Sequence, residues 1–137
     1  MIPTRYLIDT NVLLRFLTGT PADHAAASRK LFQQAAAGEV VLEVAPVTVA
    51  EAHYTLISFY GIDRKLASEK LGLLLRQHGV DLREENQVLG ALARLQTINV
   101  GFADAYLAAG ASEANVAIAS FDRDFDRMKV ARYEPKP

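Results

Sequence analysis

Four acidic residues, far apart along the chain, each stand at the start or end of an expected strand or helix: Asp9, Glu51, Asp104 and Asp122. Carboxylates packed within a few ångströms repel one another, so at least one takes up a proton unless a cation compensates the charge. Mg²⁺ prefers oxygen ligands, and one or two such ions orient a water and neutralise charge on a phosphate. If they meet, these residues predict metal-dependent hydrolysis of a phosphodiester.

Each of the four acids also has an ordinary structural explanation. Asp9 is of a type that caps the helix after it. Glu51 ends the Thr48–Glu51 segment, which matches a capping box in which the glutamate bonds back to the cap of its own helix. Asp104 in a first helical turn would favour the helix dipole. Asp122 stands in a mixed-charge run that is typical of a solvated turn. Only their shared placement indicates a site.

Short apolar runs and helical periodicity predict the elements that position these acids. Strands are predicted at residues 6–8, 40–44, 80–82, 116–120 and 128–133, and helices at 11–17, 22–37, 48–60, 63–78, 84–95 and 102–114. Gly19, Gly38 and Gly61 are predicted to end the first three helices, and Asp63 to cap the fourth.

Strands that alternate with helices predict an α/β fold, a three-layer α/β/α sandwich around a central, mostly parallel sheet. Sites in open parallel sheets form at the carboxyl ends of the strands. Asp9 and Asp122 follow predicted strands, while Glu51 and Asp104 lie in predicted first helical turns. The four carboxylates are therefore expected to converge on one rim of the sheet.

Composition restricts the classes of protein that fit. The 137 residues, half of them hydrophobic, predict a single domain over 1–137 with a real core. Fifteen basic against sixteen acidic residues argue against tight non-specific binding to a polyanion. The chain has no cysteine, which excludes thiol chemistry, and its three histidines, His24, His53 and His78, share no placement on their predicted helices. No apolar run approaches the roughly 20 residues of a membrane span, and residues 1–5 do not resemble a signal peptide, so we expect a soluble cytoplasmic protein.

Four segments, in order along the chain, carry a family resemblance. They read LIDTNVLLR at 7–15, VTVAEA at 47–52 with YG at 60–61, FADAYLAA at 102–109 and SFDRDF at 120–125. The set resembles the motifs of PIN-domain nucleases, most of all those of VapC-type toxins, and the resemblance extends over about residues 6–133.

This resemblance implies a metal-dependent endoribonuclease that uses Mg²⁺ or Mn²⁺. It places Asp9, Glu51, Asp104 and Asp122 at the family's acidic positions, both as catalytic residues and as metal ligands. Thr10, Asn11 and Ser120 would support the site, and Asp124 matches a further acid that helps to position metal or water. Gly101 departs from the pattern, because some relatives carry another acid there, which implies that a second metal is held less firmly.

The resemblance to VapC-type toxins also implies partners, namely a structured RNA substrate, a second copy in a homodimer, and a cognate antitoxin whose tail occupies the acidic site. Basic residues must hold the flanking phosphates of an RNA. The candidates are Arg15, Arg123, Arg127, Lys129 and Arg132. Surplus apolar side chains on the predicted helices 48–60 and 63–78 would serve the core or an interface; they include Leu56, Phe59, Leu73 and Leu75.

Three alternatives compete with a toxin nuclease. A housekeeping PIN-type nuclease that processes RNA or acts on DNA would use the same acids. A non-catalytic, cation-binding interaction module would bind metal without hydrolysis. A phosphatase of the haloacid-dehalogenase type also begins with a strand and an aspartate, but it needs a second acid two residues later, where this chain has Asn11.

Overall fold

The computed structural model describes residues 2–137, in which strands and helices alternate. The strands are β1 Thr4–Leu7, β2 Val40–Val44, β3 Val80–Leu82, β4 Ile118–Ala119 and β5 Arg132–Tyr133. The helices are α1 Thr10–Thr18, α2 Ala22–Ala36, α3 Pro46–Ser58, α4 Arg64–Leu75, α5 Glu85–Leu95, α6 Phe102–Ala114 and α7 Asp124–Arg127. Across 2–137, no helix combines the length and the apolar character needed to cross a bilayer.

The strand pairs described in the structure are parallel and form two sheets. In the first sheet β2 lies between β1 and β3, with Leu42 opposite both Tyr6 and Val80. In the second sheet β4 pairs with β5, so that Ile118 lies opposite Arg132. The fold is α/β, with a parallel central sheet and flanking helices, which confirms the predicted class.

One hydrophobic cluster joins the sheet to the helices. Its fully buried members include Leu13, Leu42, Leu56, Leu71, Leu75 and Leu95. Leu56 and Leu75, which the sequence left open as core or interface residues, therefore belong to the core. Phe59 and Leu73 do not, since they are 78% and 66% exposed.

Two of the predicted helix ends are formed by local hydrogen bonds of the expected kind. Gly19 ends α1 in the left-handed region, at a φ of 75°, and its amide donates to the carbonyl of Arg15. Asp63 caps α4, because its carboxylate accepts the amides of Lys65 and Leu66 at 3.1 and 3.4 Å. These two features confirm the sequence-based predictions for α1 and α4.

The predicted start of α3 at Thr48 is wrong, because the helix begins at Pro46. Proline suits the first position of a helix, where its fixed φ is already helical and no amide donor is needed. Thr48 therefore lies inside the helix and cannot act as its cap. Glu51 consequently belongs to the second turn, not the first.

Two other local predictions are also wrong. His78 lies in the turn after α4, since the helix already ends at Leu75 and Gly79 follows with a φ of 87°. The charged run from Asp122 to Arg127, interpreted as a solvated turn, contains the short helix α7. It contains a helix because Phe125 is buried in the core and fixes the run in place.

Gly79 stands where the chain passes closely over α2 before entering β3. A Cβ at this position would overlap the backbone carbonyl of Ala35, and the φ of 87° is one that side chains disfavour. The carbonyl of Gly79 also accepts the amide of Leu42 at 2.8 Å, which aligns β3 with β2. The overlap with Ala35 and the positive φ therefore each require a glycine at position 79.

We predict that Gly79→Ala destabilises the protein by clearly more than Gly38→Ala. Both glycines have a positive φ, 87° and 82°, so both variants lose about 1 kcal/mol from backbone strain. Only at position 79 does the new methyl group meet packed backbone, which costs a further ~1–3 kcal/mol. Urea denaturation of the two variants measures the difference, and equal losses would contradict the close approach to Ala35.

Candidate active site

The first predicted acid, Asp9, lies between β1 and α1, where it caps the helix. Its side chain accepts the amide of Asn11 at 3.4 Å, so the capping role considered for it is present. The next residue, Thr10, is only 6% exposed, and its Oγ1 donates to Oε2 of Glu51 at 3.0 Å. This bond ties the start of α1 to α3 and brings the Glu51 carboxylate next to the residue that follows Asp9.

Glu51 does not form the capping box that its local sequence indicates. Its recorded hydrogen bond goes to Thr10, 41 residues earlier, and not to the start of its own helix. The side chain is exposed at the edge where β1 ends. The local explanation for this glutamate is therefore wrong, and its position is set by a tertiary contact.

Hydrogen bonds to carboxyl and hydroxyl oxygens shape the loop that carries Asp122. The amide of Asp122 donates to Oγ of Ser120 at 2.9 Å, and the amide of Asp124 donates to Oδ1 of Asp122 at 2.8 Å. Ser120 thus holds the backbone that presents Asp122. Asp124 in turn accepts Nη1 of Arg127 at 3.2 Å.

Asp104, in the first turn of α6, is affected by the acids of that loop. Partial burial raises the pKa of the Asp104 carboxyl above its usual value, and the negative charges of Asp122 and Asp124 raise it further. The folded protein therefore holds this proton more tightly than the unfolded chain does, so the carboxyl costs stability once the pH exceeds its unfolded pKa. A cation placed among the three carboxylates would offset that cost.

The structure brings the acids together in two groups. Glu51 is bonded to Thr10, the residue after Asp9, and the negative charges of Asp122 and Asp124 act on Asp104. Across residues 2–137, no three or more His, Asp or Glu side chains are close enough together to hold a metal ion between them. The donors are nevertheless carboxylate oxygens, and Mg²⁺ is commonly held by one or two carboxylates, with waters and substrate phosphates as its other ligands. The donor set therefore fits a hard cation that the substrate helps to hold, and does not form a closed cage.

Among the basic residues proposed to contact RNA, Arg15 and Arg127 already have partners within the protein. Nη1 of Arg15 donates to the Tyr60 hydroxyl at 3.0 Å, while its Nε is buried without a partner in the described part of the chain. Arg127 pairs with Asp124, and its Nη2 donates to the carbonyl of Asn99 at 3.4 Å.

Arg132 is also occupied, whereas the last two candidates are exposed. Arg132 forms ion pairs with Asp126 and Glu134, and it donates to the Ser120 carbonyl at 3.1 Å. Arg123 and Lys129 are exposed and form no salt bridge in the region described, 2–137. Of the predicted phosphate contacts, these two are therefore the most accessible to a substrate.

A cavity of about 850 Å³ opens beside the acids, between α3 and the segment that leads into α6. Ala50 and Ala103, which directly precede Glu51 and Asp104, both line it. The wall also includes Tyr54, Asn99 and Gly101. Sequence reasoning missed this cavity, because its walls come from segments some 50 residues apart and the absent side chain at 101 is its only local signal.

His53, which also lines the cavity, is 2% exposed and belongs to a buried polar network. One of its ring nitrogens, Nε2, lies 3.0 Å from Oγ of Ser68, and that hydroxyl lies 2.8 Å from the carbonyl of Arg64. Burial, and secondly the charge of Arg64, lower the pKa of His53 to about 4. The imidazole is therefore neutral near pH 7.

Comparison with known proteins identifies a family but no individual relative. A family model described as PIN domain matches residues 6–131, nearly the whole chain. Searches of curated proteins and of solved structures gave no match.

We predict that Asp122→Asn lowers the pKa of Asp104, since it removes one of the two negative charges that raise it. Asp126→Asn serves as the matched control, because Asp126 is on the same short helix as Asp124 but does not contribute to the shift at Asp104. A ¹³C NMR titration of the Asp104 carboxyl, without added metal, measures both effects. An unchanged Asp104 pKa in Asp122→Asn would show that the two elements do not share one electrostatic environment.

Proposed function

Because the chain belongs to the PIN-domain family, whose members are generally nucleases that use divalent metal ions, we propose that it is an endoribonuclease dependent on Mg²⁺ or Mn²⁺. The observation that carries the proposal is the match of the PIN-domain family model to residues 6–131. The negative charges of Asp122 and Asp124, which act on Asp104, add support, because carboxylates are the donors that such ions require. The bond from Thr10 to Glu51 adds support, because it holds an acid from α3 near Asp9.

In this proposal Asp9, Glu51, Asp104 and Asp122 hold the cation, and Asp124 adds negative charge beside Asp104. An ion held by these carboxylates would lower the pKa of a water and neutralise charge on the phosphate. Thr10 donates a hydrogen bond to one oxygen of Glu51, Oε2, and leaves the other oxygen without a bond from this hydroxyl.

RNA binding requires positive charge around this acidic edge. Arg123 and Lys129, exposed before and after α7, are the residues we assign to the flanking phosphates. Arg127 and Arg15 would first have to give up their present partners, Asp124 and Tyr60. These basic residues are few, in keeping with the net charge of −1. Recognition of the RNA must therefore depend on more than the charge of its phosphate backbone.

We further propose that the protein is the toxin of a toxin–antitoxin module and acts in the cytoplasm. The support is the resemblance of segments 7–15 and 120–125 to VapC-type toxins. Such a protein needs surfaces for a second copy and for an antitoxin. The exposed apolar side chains of Phe59 and Leu73 are candidates for these contacts.

Asp9→Asn and Asp122→Asn should each reduce the cleavage of a mixture of structured RNAs by at least about 100-fold, because each removes a proposed metal ligand. The thermal midpoint should stay close to that of the parent protein. Asp126→Asn, which removes an equal charge outside the proposed ligand set, should keep its activity. EDTA should stop cleavage and added Mn²⁺ or Mg²⁺ should restore it. Full activity in either ligand variant, or activity insensitive to EDTA, would refute the proposal.

Induced expression should arrest the growth of a bacterial host if the protein is a toxin, and Asp122→Asn should not. A small protein encoded next to this chain should restore growth when it is expressed together with it. Growth counts and RNA integrity over the hours after induction provide the measurement. Normal growth despite RNA cleavage by the purified protein would instead identify a housekeeping nuclease.

A further inference from the structure

We propose that the cavity between α3 and the start of α6 is a base pocket, which takes one unpaired nucleobase of the RNA next to the phosphate that is cut. The inference rests on the proposed nuclease function and adds to it the part of the substrate that this chain recognises. Three observations carry it: the position of the cavity, a hydrogen-bond acceptor in its wall, and an exposed aromatic ring at its mouth.

The cavity is lined by the same two elements, α3 and the start of α6, that carry Glu51 and Asp104. Ala50 and Ala103 line it, and the next residue in each case is a proposed metal ligand, Glu51 or Asp104. Asn99 on its rim also accepts a hydrogen bond from Arg127, so the rim reaches towards the loop that carries Asp122. A nucleotide whose phosphate lies at the carboxylates therefore has a cavity within reach for its own base or a neighbouring one.

One ring nitrogen of His53, in the cavity wall, has no hydrogen-bond partner among residues 2–137. The single hydroxyl proton of Ser68 is donated to the Arg64 carbonyl, so His53 must donate from Nε2 for both hydrogen bonds to form at once. The other ring nitrogen, Nδ1, is then an acceptor, and no hydrogen bond to it is found in residues 2–137. Nε of Arg15 is the one side-chain nitrogen or oxygen in residues 2–137 that is both fully buried and without a partner. Nδ1 of His53, which also lacks a partner, is therefore not fully buried. Nδ1 is thus open to the cavity that His53 lines.

The remaining walls suit a flat aromatic ligand. Tyr54 is 71% exposed at the cavity, and Ile57, Ile62 and Val100 add apolar surface. Gly101 contributes no side chain, and a Cβ built there meets nothing within 4 Å, so the entrance is open. Unpaired bases in RNA are commonly recognised by stacking on aromatic rings together with hydrogen bonds to their edges.

A nucleobase satisfies the cavity better than an apolar protein segment does. Each base offers a flat apolar face for Tyr54 and an N–H group for Nδ1 of His53. A purely apolar occupant would cover that nitrogen without a donor, at the cost of an unsatisfied buried acceptor. The volume of about 850 Å³ lies within the range of small-ligand sites and leaves room for a base with its ribose.

The first test titrates the full-length protein with the four ribonucleosides, which lack phosphate and therefore do not depend on the acidic site. The ¹⁵N signals of all three histidines are followed by long-range NMR correlation without added metal. At least one nucleoside should shift Nδ1 of His53 at millimolar concentration. His24 and His78, both exposed and away from the cavity, should stay unchanged. No shift at His53 with any nucleoside would overturn the proposal.

The second test compares variants for binding to single-stranded RNA oligonucleotides. Tyr54→Ala should weaken binding about 10-fold through loss of stacking, and Gly101→Leu should do so by filling the entrance. Tyr133→Ala is the matched control, since it removes an exposed aromatic ring on β5 that does not line the cavity. The parent protein should bind an oligonucleotide with an abasic site at the recognised position about 10-fold more weakly than the intact oligonucleotide. Tyr54→Ala should bind the abasic and the intact oligonucleotides equally well.

The outcomes separate this inference from the nuclease proposal. Nucleoside binding at His53 without any RNA cleavage would support the pocket and refute the nuclease. Cleavage that is insensitive to Tyr54→Ala, Gly101→Leu and abasic sites would keep the nuclease and overturn the pocket. A change of oligomeric state in Tyr54→Ala, seen by light scattering with unaltered RNA binding, would show that another copy of the chain covers the cavity, and would also overturn it.

Discussion

Repulsion between carboxylates from separate elements is the constraint on which the site depends. Asp104 comes from α6, whereas Asp122 and Asp124 come from the loop before α7 and from α7 itself. Burial raises the pKa of Asp104, and the negative charges of Asp122 and Asp124 raise it further. The packed core must supply the free energy that holds these like charges near one another. Hydrogen bonds from Thr10 and to Ser120 fix Glu51 and the Asp122 backbone, so that the protein itself orders these two parts of the acidic edge.

Elements with strong local signals were predictable to the residue. Both β2, with its β-branched run, and α6, between Gly101 and Asn115, have the predicted bounds. The start of α3 was not predictable from the sequence. Pro46 suits both the end of a strand and the first position of a helix, and only the packing decides between these two structures. The α/β class and the PIN-domain family were predictable because they depend on the order of many segments, which tolerates errors at single boundaries.

The site itself was only partly predictable, since its contacts are long-range. The capping explanation of Glu51 used three neighbouring residues, whereas its partner Thr10 lies in another helix. His53 gave no signal in the sequence, because its burial depends on Ser68 one helix later and on Phe102, whose ring centroid lies 6.2 Å away. Whether the four acids act as metal ligands stays a prediction: the structure places them in two groups, and residues 2–137 contain no closed metal-binding cluster.

Gly101 lies at the boundary between the cavity and the acidic edge, at the cap of α6 and three residues before Asp104. Its φ of −76° is one that any residue tolerates, so its conformation does not require glycine. A larger residue there would narrow the cavity entrance, and an acidic one would also add negative charge near Asp104. An acidic side chain at residue 101 would therefore change the charge around Asp104 and the width of the cavity entrance together, whereas a neutral one would change only the width.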